Sequence, residues 1–240
     1  MRYKLTISYD GTNYNGFQSQ PKGKTIAGEI NKALTKIHKK EIKVTASGRT
    51  DSKVHALGQV VHFDSFIDIP ENRFLKAINN LLPLDIRALE IKRVPADFHA
   101  RYDARKKTYL YIISPTYDVF LRNYQTYFKY PLDLELMTQA TKKFIGTHDF
   151  AGFSSYTKSK QTTKTIYNAD LIQKDDKIII TFTGDGFLKY MVRRMVGTII
   201  SIATKKKPLT VIEEIFATRD SSLCGKTASP NGLYLQAVFY

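Results

Sequence analysis

The sequence predicts an α+β protein of two ferredoxin-like βαββαβ halves, residues 1–105 and 106–240, with antiparallel sheets joined around a central active-site cleft. Two observations predict it. Apolar residues switch between a period of two and a period near 3.6 in the order βαββαβ, and then do so again. A chain of 240 residues is long enough for one large core or two smaller ones.

In the first half, Tyr3, Leu5, Ile7 and Tyr9 alternate with Arg2, Lys4, Thr6 and Ser8 as in a half-buried strand. Ile26, Ile30, Ala33, Leu34 and Ile37 fall on one helical face. Residues 41–47 and 57–64 read as strands around a loop that holds Asp51. Phe74, Leu75, Ile78, Leu81 and Leu82 mark a second helix that Pro83 stops, and 86–94 reads as a strand. The second half opens with a strand at 106–114 and a helix at 133–145, with Leu136, Ala140 and Phe144 on one face. A hairpin over 165–174 and 177–183 turns at Asp175-Asp176. A long helix is predicted at 187–204, a short one at about 209–217, and a closing strand at 233–240.

The charge is unusual. Lys and Arg number 37 against 22 Asp and Glu, a formal net charge of +15, and such a balance favours a polyanionic partner, RNA above all when aromatic side chains are plentiful. A single cysteine, Cys224, excludes a disulfide framework and fits a reducing cytoplasm. No segment approaches the length of a membrane span, and the N-terminus reads as a strand and not as a signal peptide. The five histidines show no metal spacing, so no metal is expected and no cofactor is indicated. His62 lies in a strand-like run and reads as structural.

The chemistry concentrates at residues 47–56, Ser-Gly-Arg-Thr-Asp-Ser-Lys-Val-His-Ala. Asp51 follows a strand-like run and a glycine, where a loop leaves a sheet, and loops on rigid strands are common sites of catalytic groups. Ordinary turn chemistry accounts for an Asp beside a Gly equally well. Arg49 suits a phosphate contact or an extruded nucleotide. Residues 154–165, polar and basic, read either as a solvated loop or as a lid on RNA phosphates. Lys205, Lys206 and Lys207 read as a charge cluster at a helix C-terminus.

Several segments occur in a fixed order: Tyr9 to Gln18, the 47–56 loop, Asn79-Asn80-Leu81-Leu82-Pro83, Phe98-His99-Ala100-Arg101, Thr147-His148-Asp149-Phe150, Gly186 to Arg193 with Gly197, and Gly232-Leu233-Tyr234-Leu235. Together they resemble the TruA family of tRNA pseudouridine synthases over the whole chain. The resemblance implies a homodimer acting on tRNA at positions 38 to 40 of the anticodon stem-loop. It implies Asp51 as the catalytic aspartate, Tyr109 as the active-site tyrosine, Arg193 as the arginine partner of the aspartate, and Leu233 as a lining of the uracil pocket. The chain departs from the usual pattern at Ser52-Lys53, where the family has Ala-Gly, at Phe17, where it has Trp, and in a lid without arginine.

An ionised aspartate can attack and then leave, at C6 of the base or C1′ of the ribose. Burial alone would raise the pKa of Asp51, and a nearby Arg193 would oppose the rise. Arg193 sits among Met191, Val192, Met195 and Val196, a setting that argues against full exposure. Tyr109 suits stacking on an unstacked uracil, or a place in the core. Three readings compete with a synthase on tRNA: a paralogue acting on ribosomal RNA, a non-catalytic RNA-binding module, and an acid/base nuclease, for which only His55 lies near the loop.

Overall fold

A computed structural model describes residues 1–155 and 161–240. It is an α+β structure of two compact units. Unit 1 is Met1–Arg105 with Tyr234–Tyr240, and unit 2 is Lys106–Leu233.

Unit 1 runs β1 (Arg2–Tyr9), α1 (Ile26–His38), β2 (Thr45–Ala46), β3 (His55–Asp64), α2 (Glu71–Asn79) and β4 (Ile86–Val94). Strand β1 lies antiparallel between β3 and β4, and β2 pairs antiparallel with β3, the ferredoxin-like order. The alternation along β1 is complete: Tyr3, Leu5, Ile7 and Tyr9 are buried and their neighbours are not. Helix α1 starts where Thr25 accepts a hydrogen bond from the Gly28 amide, and it ends at Lys39 in the left-handed region. Its buried face is Ile26, Ala27, Ile30, Ala33 and Leu34, with His38 at its end in place of Ile37.

Of the strand predicted at 41–47 only Thr45 and Ala46 form a strand, and the Ser47 amide also donates to Val60 O at 2.8 Å. The amides of Ile42 and Val44 are taken instead by Thr35 Oγ1 (3.1 Å) and Asn31 Oδ1 (2.9 Å) of α1, so a sequence with strand-like alternation satisfies its backbone on a helix. Helix α2 ends four residues before Pro83. At that end the Asn79 side chain donates to Ala88 O and accepts from Ala88 N, both 2.9 Å. This holds β4 beside the register shift at Thr6/Ile7, and it explains an asparagine at that place in the chain.

The last strand, β10 (Leu233–Phe239), contributes Tyr234–Tyr240 to unit 1. It runs parallel to β3, with Tyr234 opposite His55 and Leu235 opposite Ala56. The Tyr234 and His55 rings stack at 4.8 Å, and the Arg105 amide donates to Phe239 O at 2.8 Å.

Unit 2 contains β5 (Lys106–Ser114), β6 (Thr126–Tyr127), α3 (Leu134–Lys142), β7 (Gly146–Asp149), β8 (Thr163–Lys174), β9 (Lys177–Gly184), α4 (Met191–Ala203) and α5 (Val211–Thr218). Its sheet has the antiparallel order β5-β9-β8-β7, with β6 parallel to β5. The β8–β9 hairpin turns at Asp175, which is left-handed. Helix α4 starts at Met191 and not at 187, because Tyr190 has a φ of 63° and a left-handed residue ends helical continuity. Phe144, Phe150, Phe153 and Phe216 pack together, edge to face except for the tilted Phe150–Phe153 pair, and His148 lies flat on Phe216 at 4.4 Å. No described helix is long and apolar enough to cross a membrane.

Candidate active site

The Asp51 loop belongs to unit 1, and its root is fixed by one buried side chain. Gln59, wholly buried in β3, accepts from Ser47 Oγ (2.7 Å) and from the Val60 amide (3.1 Å), and donates to Gly48 O (3.0 Å). An amide is suited to this place because it supplies acceptor and donor together. Further along, Thr50 Oγ1 pairs with the buried Tyr9 hydroxyl at 2.8 Å. Burial pushes the Tyr9 phenol above its ordinary range, so it serves as a neutral hydrogen-bonding group.

The N-terminal 9–18 loop lies directly on this one. Phe17 N donates to Thr50 O (3.1 Å), Lys53 N to Tyr14 O (3.3 Å), and Ser52 Oγ to Tyr14 O (3.1 Å). Tyr14 is in turn tied by its hydroxyl to Asp85, and Lys24 covers its ring at 4.6 Å. Gly16 has a φ of 90°, and a Cβ there would stand 2.9 Å from Thr50 O, so no other residue fits this approach. Two segments far apart in sequence thus make one rigid piece.

Within it Asp51 is half-buried and Arg49 exposed. Asp51 O accepts from Val54 N at 3.2 Å, closing a turn in which Lys53 has a φ of 64°. Lys53 therefore occupies the left-handed position that favours glycine. His55, buried behind the turn, has its Nδ1 3.1 Å from the Gly11 amide and 3.2 Å from Asp10 Oδ1.

Tyr109, Arg193 and Leu233 belong to unit 2. Tyr109 is buried on β5 opposite Phe182 of β9, and its ring meets Phe187 edge to face at 4.9 Å. Arg193 is half-buried in the first turn of α4. Its Nε donates to Ala228 O (2.8 Å), its carbonyl accepts from Ala228 N (3.0 Å), and its guanidinium lies 5.1 Å from the Tyr190 ring centre. Arg194 points elsewhere, to Ser154 O. Tyr111 supports the same loop by donating to Ser229 O at 2.8 Å. Its phenol is pushed up to about 12 by burial, against the opposing effects of Thr126 and the Arg193 charge. Leu233, buried, begins β10 directly after Gly232, whose Cα packs against Ile112 O of β5.

The sequence did not point to Gln59, Phe187, Tyr190 or Ala228. A polar Gln inside an apolar strand run is a readable signal; the others emerge only from tertiary contacts. The predicted lid at 154–165 lies partly on residues 156–160, outside the described residues. Among the described residues no group of His, Cys, Asp and Glu is arranged to hold a metal ion.

A strongly basic α+β chain with a carboxylate on a tethered loop is of a class suited to act on a polyanion such as RNA. The model of the tRNA pseudouridine synthase family matches residues 5–103 and 140–240. A tRNA pseudouridine synthase A of Exiguobacterium sp. is 45% identical over 240 residues, covering 100% of this chain and 98% of the relative. A tRNA pseudouridine synthase A 1 of Bacillus cereus is 46% identical, with 100% and 98% covered, and a tRNA pseudouridine synthase A of Listeria monocytogenes is 44% identical, with 100% and 99% covered. The chain belongs to the tRNA pseudouridine synthase family, and it is an RNA pseudouridine synthase that isomerises uridine in tRNA. Ribosomal RNA is not the favoured target.

Proposed function

We propose that the enzyme converts uridines 38 to 40 of the tRNA anticodon stem-loop to pseudouridine, with Asp51 as nucleophile. The observation that carries this reading is the Asp51 loop itself. Its carboxylate stands on a turn whose backbone is bonded on both sides by the 9–18 loop and by Gln59, so little reorganisation is left for the moment of reaction. In the reaction the N1–C1′ bond breaks, a C5–C1′ bond forms, C5 loses a proton and N1 gains one. The product has the mass of the substrate, and no redox partner is needed.

The target uridine must leave its stack before Asp51 can reach it. Arg49, exposed on the same loop, holds the extruded nucleotide by its phosphate or fills the space it vacated. Tyr109 stacks on the uracil, supported by Phe187. Arg193 supplies the positive charge that keeps Asp51 ionised in a partly dry pocket, oriented by its bond to Ala228. Leu233 lines the pocket. Two copies act together in the cytoplasm, each tRNA touching both. The exposed Tyr117, Val119, Phe120 and Tyr130 of unit 2 supply apolar surface for such an association.

The test uses anticodon stem-loops with a single uridine at 38, 39 or 40. All three are expected to be converted, with affinity falling as salt rises. If about six phosphates are contacted, log K against log salt has a slope of roughly −4 to −5. Conversion of none of the three, or a flat salt dependence, contradicts the reading.

A further inference from the structure

We infer that the Tyr102–His99 stack on unit 1 is a second nucleotide-binding point, a platform on which an unpaired base of the RNA substrate stacks. The inference rests on the RNA reading above but uses residues outside the Asp51 loop.

Tyr102 is 76% exposed, so its ring contributes little to the core. Its ring lies on that of His99 at 4.2 Å between centres and 29° between planes. His99 meets the buried His62 ring at 4.8 Å. The three rings form a ladder from the core of unit 1 to its surface, and the outermost is open to solvent.

The ladder is built on a turn that is hydrogen-bonded at every step. His99 Nδ1 faces the amides of Arg101 (3.2 Å) and Tyr102 (3.3 Å), and Asp103 Oδ2 accepts from His99 N at 2.8 Å. Ala100 N donates to His62 Nδ1 (3.0 Å), and Ala100 O accepts from the Tyr240 hydroxyl (2.8 Å). Phe98 O accepts from Arg2 at 3.0 Å. Burial, with the charge of Arg2, holds His62 below its ordinary range, so the innermost ring is a neutral backing.

One cation flanks the open ring: Arg101 lies with its guanidinium 5.9 Å from the Tyr102 centre. Arg105, three residues further along the chain, is exposed. An exposed aromatic face with an arginine beside it is an arrangement that binds unpaired bases and their phosphates, without regard to base identity. The nearest carboxylate in sequence is Asp103, whose Oδ2 accepts from the His99 amide at 2.8 Å.

The chain has no tryptophan, so Tyr102→Trp creates a sole fluorescent reporter. Its emission is expected to be quenched by tRNA, saturating near the KM for turnover. Tyr102→Ala is expected to raise KM for tRNA about fivefold or more with kcat within about twofold, while Tyr102→Phe matches the wild type. Unchanged KM in Tyr102→Ala with no quenching of Tyr102→Trp overturns the inference, and so does an equal KM rise in Tyr102→Phe, which would indicate a hydroxyl contact. Should Tyr102→Ala be unstable, the Tyr102→Trp titration alone decides. Wild-type turnover on tRNA is measured alongside; its absence would refute the parent reading, whereas its presence with an inert Tyr102 refutes only this one.

Discussion

Asp51→Asn is expected to lower pseudouridine formation by roughly 10⁴-fold or more, with tRNA affinity within a few-fold of the wild type. The large effect follows because the reaction has one nucleophile and an amide cannot attack and leave as a carboxylate does. The small effect on binding follows because affinity comes from phosphate contacts distributed over a +15 surface. The bonds made by the Asp51 backbone and by Thr50, Ser52 and Lys53 are kept in the variant. Single-turnover kinetics on purified protein, with filter binding in parallel, separate the two quantities. Measurable turnover near the wild-type rate ends the assignment.

Gly197→Ala is expected to destabilise the protein by about 3 kcal/mol or more. The sign is the informative part, because Gly→Ala inside a helix ordinarily stabilises by roughly 0.5–1 kcal/mol. Here a Cβ would stand 2.1 Å from Lys226 O, a backbone atom. Gly225 makes the matching approach from the other side, where a Cβ would lie 2.2 Å from Gly197 O. Either α4 or the 224–228 segment must move, and with it the paired bonds between Arg193 and Ala228. Thermal melting should fall by several degrees, and residual activity should fall further than stability alone explains. An unchanged or raised melting temperature would show that the segment yields freely.

The sequence exposes some of this architecture and hides the rest for physical reasons. Ile26, Ile30, Ala33 and Leu34 mark α1 because burial follows the helical period, and Tyr3 to Tyr9 mark β1 because burial follows the strand period. The 41–47 stretch misleads because periodicity reports which side chains are buried and not what pairs with the backbone; there Asn31 and Thr35 replace a neighbouring strand. The start of α4 was hidden by a single left-handed residue, Tyr190. The company kept by β10 was hidden too, since alternation identifies a strand without naming its partner, and Tyr234 pairs with His55 some 180 positions earlier in the chain.

At the candidate site, Asp51 and Arg49 were legible from the residues as a loop, whereas Tyr109 and Arg193 were reached through the resemblance; the structure puts them on a strand and a helix. What holds them was less legible. Ala228, Phe187 and the contact of Gly16 with the Thr50 carbonyl act through tertiary contacts that leave no periodic signal, and Gln59 shows only as a polar residue within an apolar run. Lys53 shows the converse. Its departure from the glycine usual in the family becomes meaningful only once its φ of 64° is known.

Whether Asp51 drives uridine isomerisation in tRNA is tested most directly by deleting the gene, mapping pseudouridine in total RNA by chemical labelling, and complementing with the wild type or Asp51→Asn. The expected result is loss of pseudouridine at tRNA positions 38 to 40 alone, restored by the wild type and not by Asp51→Asn. Restoration by Asp51→Asn, or loss confined to ribosomal RNA with the anticodon arms still modified, would contradict it.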